Sequence, residues 1–305
     1  MTELNWIIFG SVVLLALFSD LFVLHKNPHK ISVKESLIMS AFWVGVGVAF
    51  SGYVYYTRGT QAFLEYITGY SLEKALSLDN VFVFILIFSY FKVPEEFRHK
   101  VLFWGVLGAI VFRAIFIFTG IELVKLFHWV IYIFGIILIV SAIKLLITEE
   151  KEFHPEKTLV YKIAKRFIPL KPTYEDGKFF VREGKKLYAT PLFLALLFVE
   201  SSDIMFAIDS VPAILAISKD PFIVYTSNIF AILGLRSLYF AASAILSLFH
   251  FLHYGLSFIL AFIGMKMLIS EFYEIPVFVS LLLIFSAIFI SVVASLLVKK
   301  KLSQP

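Results

Sequence analysis

Five carboxylates sit inside long apolar stretches of this 305-residue chain: Glu73, Asp79, Glu200, Asp203 and Asp209. At the centre of a bilayer each would cost roughly 2.5–3.5 kcal/mol even on a lenient insertion scale, so five together require compensation. Lys74, which adjoins Glu73, and Arg113 and Arg236 are the cations expected to be buried with them, and three positive charges against five negative ones leave a net-negative site. That balance favours a divalent cation, or protons. Asn80 and Ser210 directly follow Asp79 and Asp209 and add neutral oxygen donors. The chain has no cysteine, and no histidine stands at a ligand-like spacing from these acids. A ligand set of oxygens suits hard cations such as Mn²⁺, Mg²⁺ or Ca²⁺ over Zn²⁺ or Cu⁺.

Other chemistries find no support. Phosphate-binding loops, an HExxH zinc motif and the GxGD signature of membrane aspartyl proteases are missing. With no nucleophile–base pair, neither an enzyme nor an organic cofactor is expected. Glu200 and Asp203 are three apart and share a helical face. Glu73 and Asp79, like Asp203 and Asp209, are six apart, about 240° around an intact helix. All five acids could converge only if their helices are unwound near 77–80 and 207–210, so both helices are expected to be broken there. Arg113 and Arg236 are the expected counter-ions. Asp20 lies near the end of an apolar run and could simply reach the headgroups. His128 and His253, beside Trp129 and Tyr254, read as interface anchors.

The elements that must position these residues are membrane spans. Hydrophobic residues make up 60% of the chain and charged residues 16%, against about 45–50% and 25% in ordinary soluble domains. Mean hydropathy is +0.90. A soluble core of this size could not hide so much apolar surface, and an all-α polytopic membrane protein is expected. Nine spans can be laid out, at 6–24, 35–55, 63–90, 101–119, 128–147, 191–216, 222–248, 254–270 and 276–298. The first lacks the basic start and small-residue cleavage site of a signal peptide. Alternating the intervening loops puts 19 Lys and Arg on one side and 3 on the other. The positive-inside rule then places the amino terminus outside and the carboxy terminus in the cytoplasm of a cell (inner or plasma) membrane. The net charge of +5 is explained by this distribution, and nucleic acid is not an expected partner.

The chain also repeats itself. Glu73-x5-Asp79-Asn80-Val81 matches Asp203-x5-Asp209-Ser210-Val211 at an offset of 130. Leu107-Gly108 with Arg113 resembles Leu233-Gly234 with Arg236, and Lys144-Leu-Leu-Ile-Thr-Glu149 matches Lys266-Met-Leu-Ile-Ser-Glu271 at an offset of 122. Each unit, 63–149 and 191–271, holds three spans. Three is odd, so the second must be inverted relative to the first, an arrangement found in secondary transporters with mid-membrane sites. A single transmembrane domain over 1–298 results, interrupted by a cytoplasmic loop at 148–190 and followed by a tail at 299–305. Within the loop, Leu159–Ile168 has apolar residues at helical spacing opposite Lys162, Lys165 and Arg166, as expected of a helix lying on anionic lipid. Residues 177–187 read as a hairpin turning near Glu183-Gly184.

The stretches SLEKALSLDNVFVFILIFSYFKVP (71–94), HKVLFWGVLGAIVFRAIFIF (99–118), FHWVIYIFG (127–135), DLFVLHKNPHKISVKE (20–35) and the run from Leu187 to Phe240 resemble the TerC family of integral membrane proteins. The likeness covers most of residues 14–298 and is nearest the Alx-type branch, within a broader LysE-like superfamily. It implies a manganese exporter in which Glu73, Asp79, Glu200, Asp203 and Asp209 handle the metal. It also admits a role in delivering metal to exported enzymes. The family takes its name from tellurite resistance, but a net-negative site should repel that oxyanion. The expected function is therefore export of Mn²⁺, with protons as the counter-ion because carboxylates must lose protons to bind metal. Export of Ca²⁺ or Mg²⁺ is the nearest alternative.

Overall fold

The computed structural model describes residues 2–19, 33–147, 156, 158–184, 186–243 and 251–302. Asp20, the start of the long loop at 148–155 and the end of the tail lie outside the described residues. The described residues are α-helical apart from one short hairpin and its connecting turns, and the apolar runs become helices because a bilayer leaves backbone groups no other partner. In chain order the helices are α1 (Thr2–Phe18), α2 (Val33–Tyr90), α3 (Glu95–Leu126), α4 (Val130–Ile147), α5 (Leu159–Phe167), α6 (Pro191–Leu215), α7 (Pro221–Leu233), α8 (Leu235–Ser243), α9 (Leu252–Leu268) and α10 (Val277–Leu302). Five of these are long and apolar enough to cross a membrane, or six when α7 and α8 count as one bent span; α1 and α9 are shorter apolar helices.

At 58 residues α2 would reach about 87 Å if straight. Gly59, at φ 84°, breaks it into two arms, 33–58 and 60–90, a conformation that favours glycine. The arms fold back on each other. Tyr66 donates to the Gly47 carbonyl at 3.1 Å, and the rings of Phe50 and Tyr66 lie 5.7 Å apart. A Cβ on Gly47 would stand 2.6 Å from the Tyr70 ring, so that glycine sets how closely the arms approach.

Unwinding at 77–80 and 207–210 does not occur. Both segments are helical, and the expectation of broken acid-bearing helices is corrected. The reason is that the six-residue spacing is used as it stands: on intact helices the two acids of each pair point in different directions. The interruption falls instead between α7 and α8, which bend by 42° at Gly234. Elsewhere α4 crosses α9 through two glycines. A Cβ on Gly135 would lie 2.9 Å from the Gly264 carbonyl oxygen, and one on Gly264 2.7 Å from that of Gly135. Two turns along, Ser257 donates to the Ala142 carbonyl at 2.8 Å. Small residues at a crossing of this kind let two backbones meet in lipid.

The loop module follows its sequence pattern. Thr158 caps α5 by accepting from the Tyr161 amide, while Val160 and Tyr161 pack on the bundle. Leu159, Ile163 and Phe167 remain exposed beside the three basic residues. β1 (Phe180–Glu183) pairs antiparallel with β2 (Lys186–Ala189), in register Phe180↔Ala189, around Gly184 at φ 59°. The Tyr174 hydroxyl donates to the Phe91 carbonyl and ties the module to the end of α2, where burial pushes its pKa up to about 12.

Candidate functional site: a carboxylate cavity beside a buried arginine

α3 carries Arg113 to the middle of the bundle, where it is fully buried. A guanidinium has five donors in a fixed fork, and all three of its nitrogens are engaged here. Nη2 and Nε reach the two oxygens of Asp203 on α6, at 3.2 and 3.4 Å. Nη1 donates to Glu73 Oε1 on α2 and to Asn228 Oδ1 on α7, the latter at 3.0 Å, with Ser210 Oγ at 3.5 Å. The Asn228 amide in turn donates to Glu73 Oε2 at 2.9 Å. Four helices are thereby tied at one point. Glu73 and Asp203 are as buried as the arginine, and a charge removed from water so completely requires this kind of pairing.

Asp79 and Asp209 lie one and a half turns further along and face elsewhere. They line a cavity of about 700 Å³, together with Glu73, Asn80, Arg113, Ser141, Lys144, Met205 and Ser210 and apolar residues of α4, α6 and α9. The two carboxylates are close enough to repel each other. Asp209 accepts a hydrogen bond of 2.6 Å from Ser141 on α4. Asn80 is 1% exposed, yet neither its amide nitrogen nor its oxygen has a partner in the structure. A buried side-chain amide left unpaired costs about 1–3 kcal/mol per group, so its presence in the cavity wall calls for an occupant.

The expected site residues thus separate into groups and do not form one cluster. Glu73 and Asp203 belong to the Arg113 knot, with Glu73 also reaching the cavity wall. Asp79, Asn80, Asp209 and Ser210 line the cavity. Glu200 is outside the cavity wall, with its carboxylate pressed against Gly108 of α3 and one oxygen, Oε2, unpartnered. Arg236 is buried on α8 and also lies outside that wall. Among the described residues no three His, Cys, Asp or Glu side chains stand close enough to hold a metal ion by themselves. What the cavity offers is a pair of carboxylates supplemented by amide and hydroxyl oxygens. Ser141, Lys144 and Asn228 were not anticipated as part of the site. Ser141 and Lys144 could have been suspected, because with Tyr132 they are the only polar side chains in the otherwise apolar α4.

The chain matches the pattern of the integral membrane protein TerC family over residues 58–303. It is 46% identical to an uncharacterized membrane protein of Myxococcus xanthus over 292 residues, 96% of this chain and 92% of that one. An uncharacterized membrane protein of Rickettsia bellii is 43% identical over 97% of this chain and 98% of its own. Alx of Escherichia coli, named as a proposed membrane-bound redox modulator, is 44% identical over 93% of this chain and 91% of its own. No solved structure matches the chain. The polytopic helical fold, the buried carboxylates and the match over 58–303 agree, and the chain belongs to the TerC family of integral membrane proteins.

Proposed function

We propose that the protein is a transporter that exports Mn²⁺ from the cytoplasm across a cell membrane, by way of the Asp79–Asp209 cavity. The observation that carries this reading is the cavity itself: two mutually repelling carboxylates with an unpartnered buried Asn80 beside them. A divalent cation would relieve the repulsion and take the Asn80 oxygen as a ligand, while Ser141, Ser210 and water complete an oxygen shell. The small number of protein ligands suits cargo, which must leave as readily as it enters. A carboxylate cavity binds metal in competition with protons, so metal release outside is coupled to proton entry. No organic cofactor and no catalytic step are involved.

The inverted repeat belongs to the same proposal, and the α4–α9 crossing supports it. At the offset of 122, Gly135 corresponds to Ser257 and Ala142 to Gly264. The contacts made are Gly135 with Gly264 and Ala142 with Ser257, which is the exchange that a two-fold axis through the crossing requires. Nine spans follow if α1, both arms of α2, α3, α4, α6, the α7–α8 pair, α9 and α10 each cross once. The amino terminus is then outside.

Ca²⁺ or Mg²⁺ as cargo is the alternative that the oxygen set allows. Delivery of metal to exported enzymes is a second alternative. A redox role, as the name of the Escherichia coli relative suggests, would not run through thiols of this chain, since it has none. Flux of a redox-active cation would connect the two. Purified protein in sealed vesicles should accumulate Mn²⁺ when it is the sole protein present, and an inward proton-driven exchange should stop in Asp79→Asn. Vesicles that take up no Mn²⁺ would overturn transport in favour of a delivery partner.

A further inference from the structure

The lysine motif shared by the two repeats has no place in the ligand set, yet the fold gives its two copies different surroundings. Lys144 stands in the last turn of α4, three residues after Ser141, and its side chain lines the carboxylate cavity. Ser141 is the residue that donates to Asp209, so the ammonium rises from the same face of α4 that holds that carboxylate. Its charge is felt at Asp209, but among the described residues it forms no ion pair. Lys266, its counterpart, donates to Ser280 Oγ at 3.0 Å, near Glu65 and Glu274, and does not line the cavity.

A lysine is a compact charge on a flexible four-carbon stem. A cavity of about 700 Å³ leaves room for that charge to approach Asp209 or withdraw. A divalent cation and an ammonium cannot both hold the same carboxylate without repelling each other. We propose that Lys144 is a tethered counter-ion poised to approach Asp209 in the empty cavity, and that it must withdraw when the transported cation arrives. The proposal rests on the transport reading. It gives Lys144 two effects: it weakens metal binding, which hastens release, and it offsets the negative charge of the cavity once the metal has left.

Titration of the purified full-length protein with Mn²⁺, at fixed pH and ionic strength, tests this. Lys144→Met should bind Mn²⁺ about two- to fivefold more tightly than the wild type, the size expected of a solvent-accessible charge interaction. Lys144→Gln should shift in the same direction, and Lys144→Arg should stay at the wild-type affinity. Lys266→Met, which removes the same charge outside the cavity, should leave affinity unchanged. Equal affinity in the wild type and both neutral Lys144 variants overturns the tethered counter-ion and leaves the transport reading standing. The same gain in Lys266→Met overturns it too, by making net charge the cause. A wild type that binds no Mn²⁺ sinks the metal cavity and this inference together.

Discussion

α3 and the α7–α8 pair carry the same sequence signal, a Leu-Gly followed closely by an arginine, yet α3 runs unbroken through Gly108 while α7–α8 bends by 42° at Gly234. Both glycines make room for an ionisable side chain from an acid-bearing helix. At Gly108 the visitor is the Glu200 carboxylate of α6; at Gly234 it is the Lys74 ammonium of α2, with Trp43 packed alongside. The difference lies in what the visitor does to the backbone. Among the described residues the Glu200 side chain makes no hydrogen bond to a carbonyl of α3, and α3 is continuous. Lys74 donates to the Ala231 carbonyl at 3.0 Å, capping the end of α7 where the partial negative charge of a helix terminus favours a cation. The bend thus coincides with a lysine that donates to the end of α7, and the straight helix has no such donor beside its glycine.

The largest expected effect is at the arginine of the straight helix. Arg113→Met leaves Glu73 and Asp203 buried without their counter-ion, and should cost about 3–5 kcal/mol. Thermal unfolding in detergent should show a large drop in midpoint, and an unchanged midpoint would mean the knot does not hold the bundle. Next is Lys74→Met. It removes a charged donor from Ala231 and should cost about 1.5–3 kcal/mol. If the bend is maintained by Lys74, an interhelical distance across α7–α8, measured by paired spin labels, should change in this variant and not in Glu200→Gln.

Gly234→Ala should cost about 1–3 kcal/mol, because the new Cβ would meet Trp43 Cβ at 2.8 Å, an atom that cannot move without its helix. Gly108→Ala should be milder. Its Cβ overlaps only the tip of Glu200, a flexible side chain that can swing away. The double variant with Glu200→Ala should recover most of the loss, and an additive result would show that the two residues do not share the space.

Much of this was legible in the sequence, and the pieces that were not share one cause. Apolar runs of the right length located the helices, since lipid leaves the backbone no alternative. The loop helix showed in the spacing of Leu159, Ile163 and Phe167, and the hairpin in Glu183-Gly184. The acids announced themselves by the cost of burying them. The six-residue spacing, however, admits two solutions, unwinding to converge or staying helical and diverging. Only the positions of partners decide between them. Arg113 waits on one side and Ser141 on the other, so the helices had no reason to unwind. Gly59 and Gly234 could not be told from other glycines in apolar runs, because a break depends on neighbours from distant helices. Lys144 was visible as half of a repeated motif, but which of its two copies faces the acids is set by the packing of α4 against α6.

Glu73 and Asp203 hold Arg113, and in the proposed transporter Asp79 and Asp209 are left to receive the cation. Mn²⁺ flux into sealed vesicles by Asp209→Asn, measured beside the wild type at matched protein content and pH, tests this most directly. The substitution keeps the size of the side chain and its acceptor for Ser141 while removing one charge from the cavity. The expected result is a folded protein with the thermal midpoint of the wild type and no Mn²⁺ flux above protein-free vesicles. Wild-type flux in Asp209→Asn would contradict the account, because the cation would then be passing without the carboxylate that the cavity is built around.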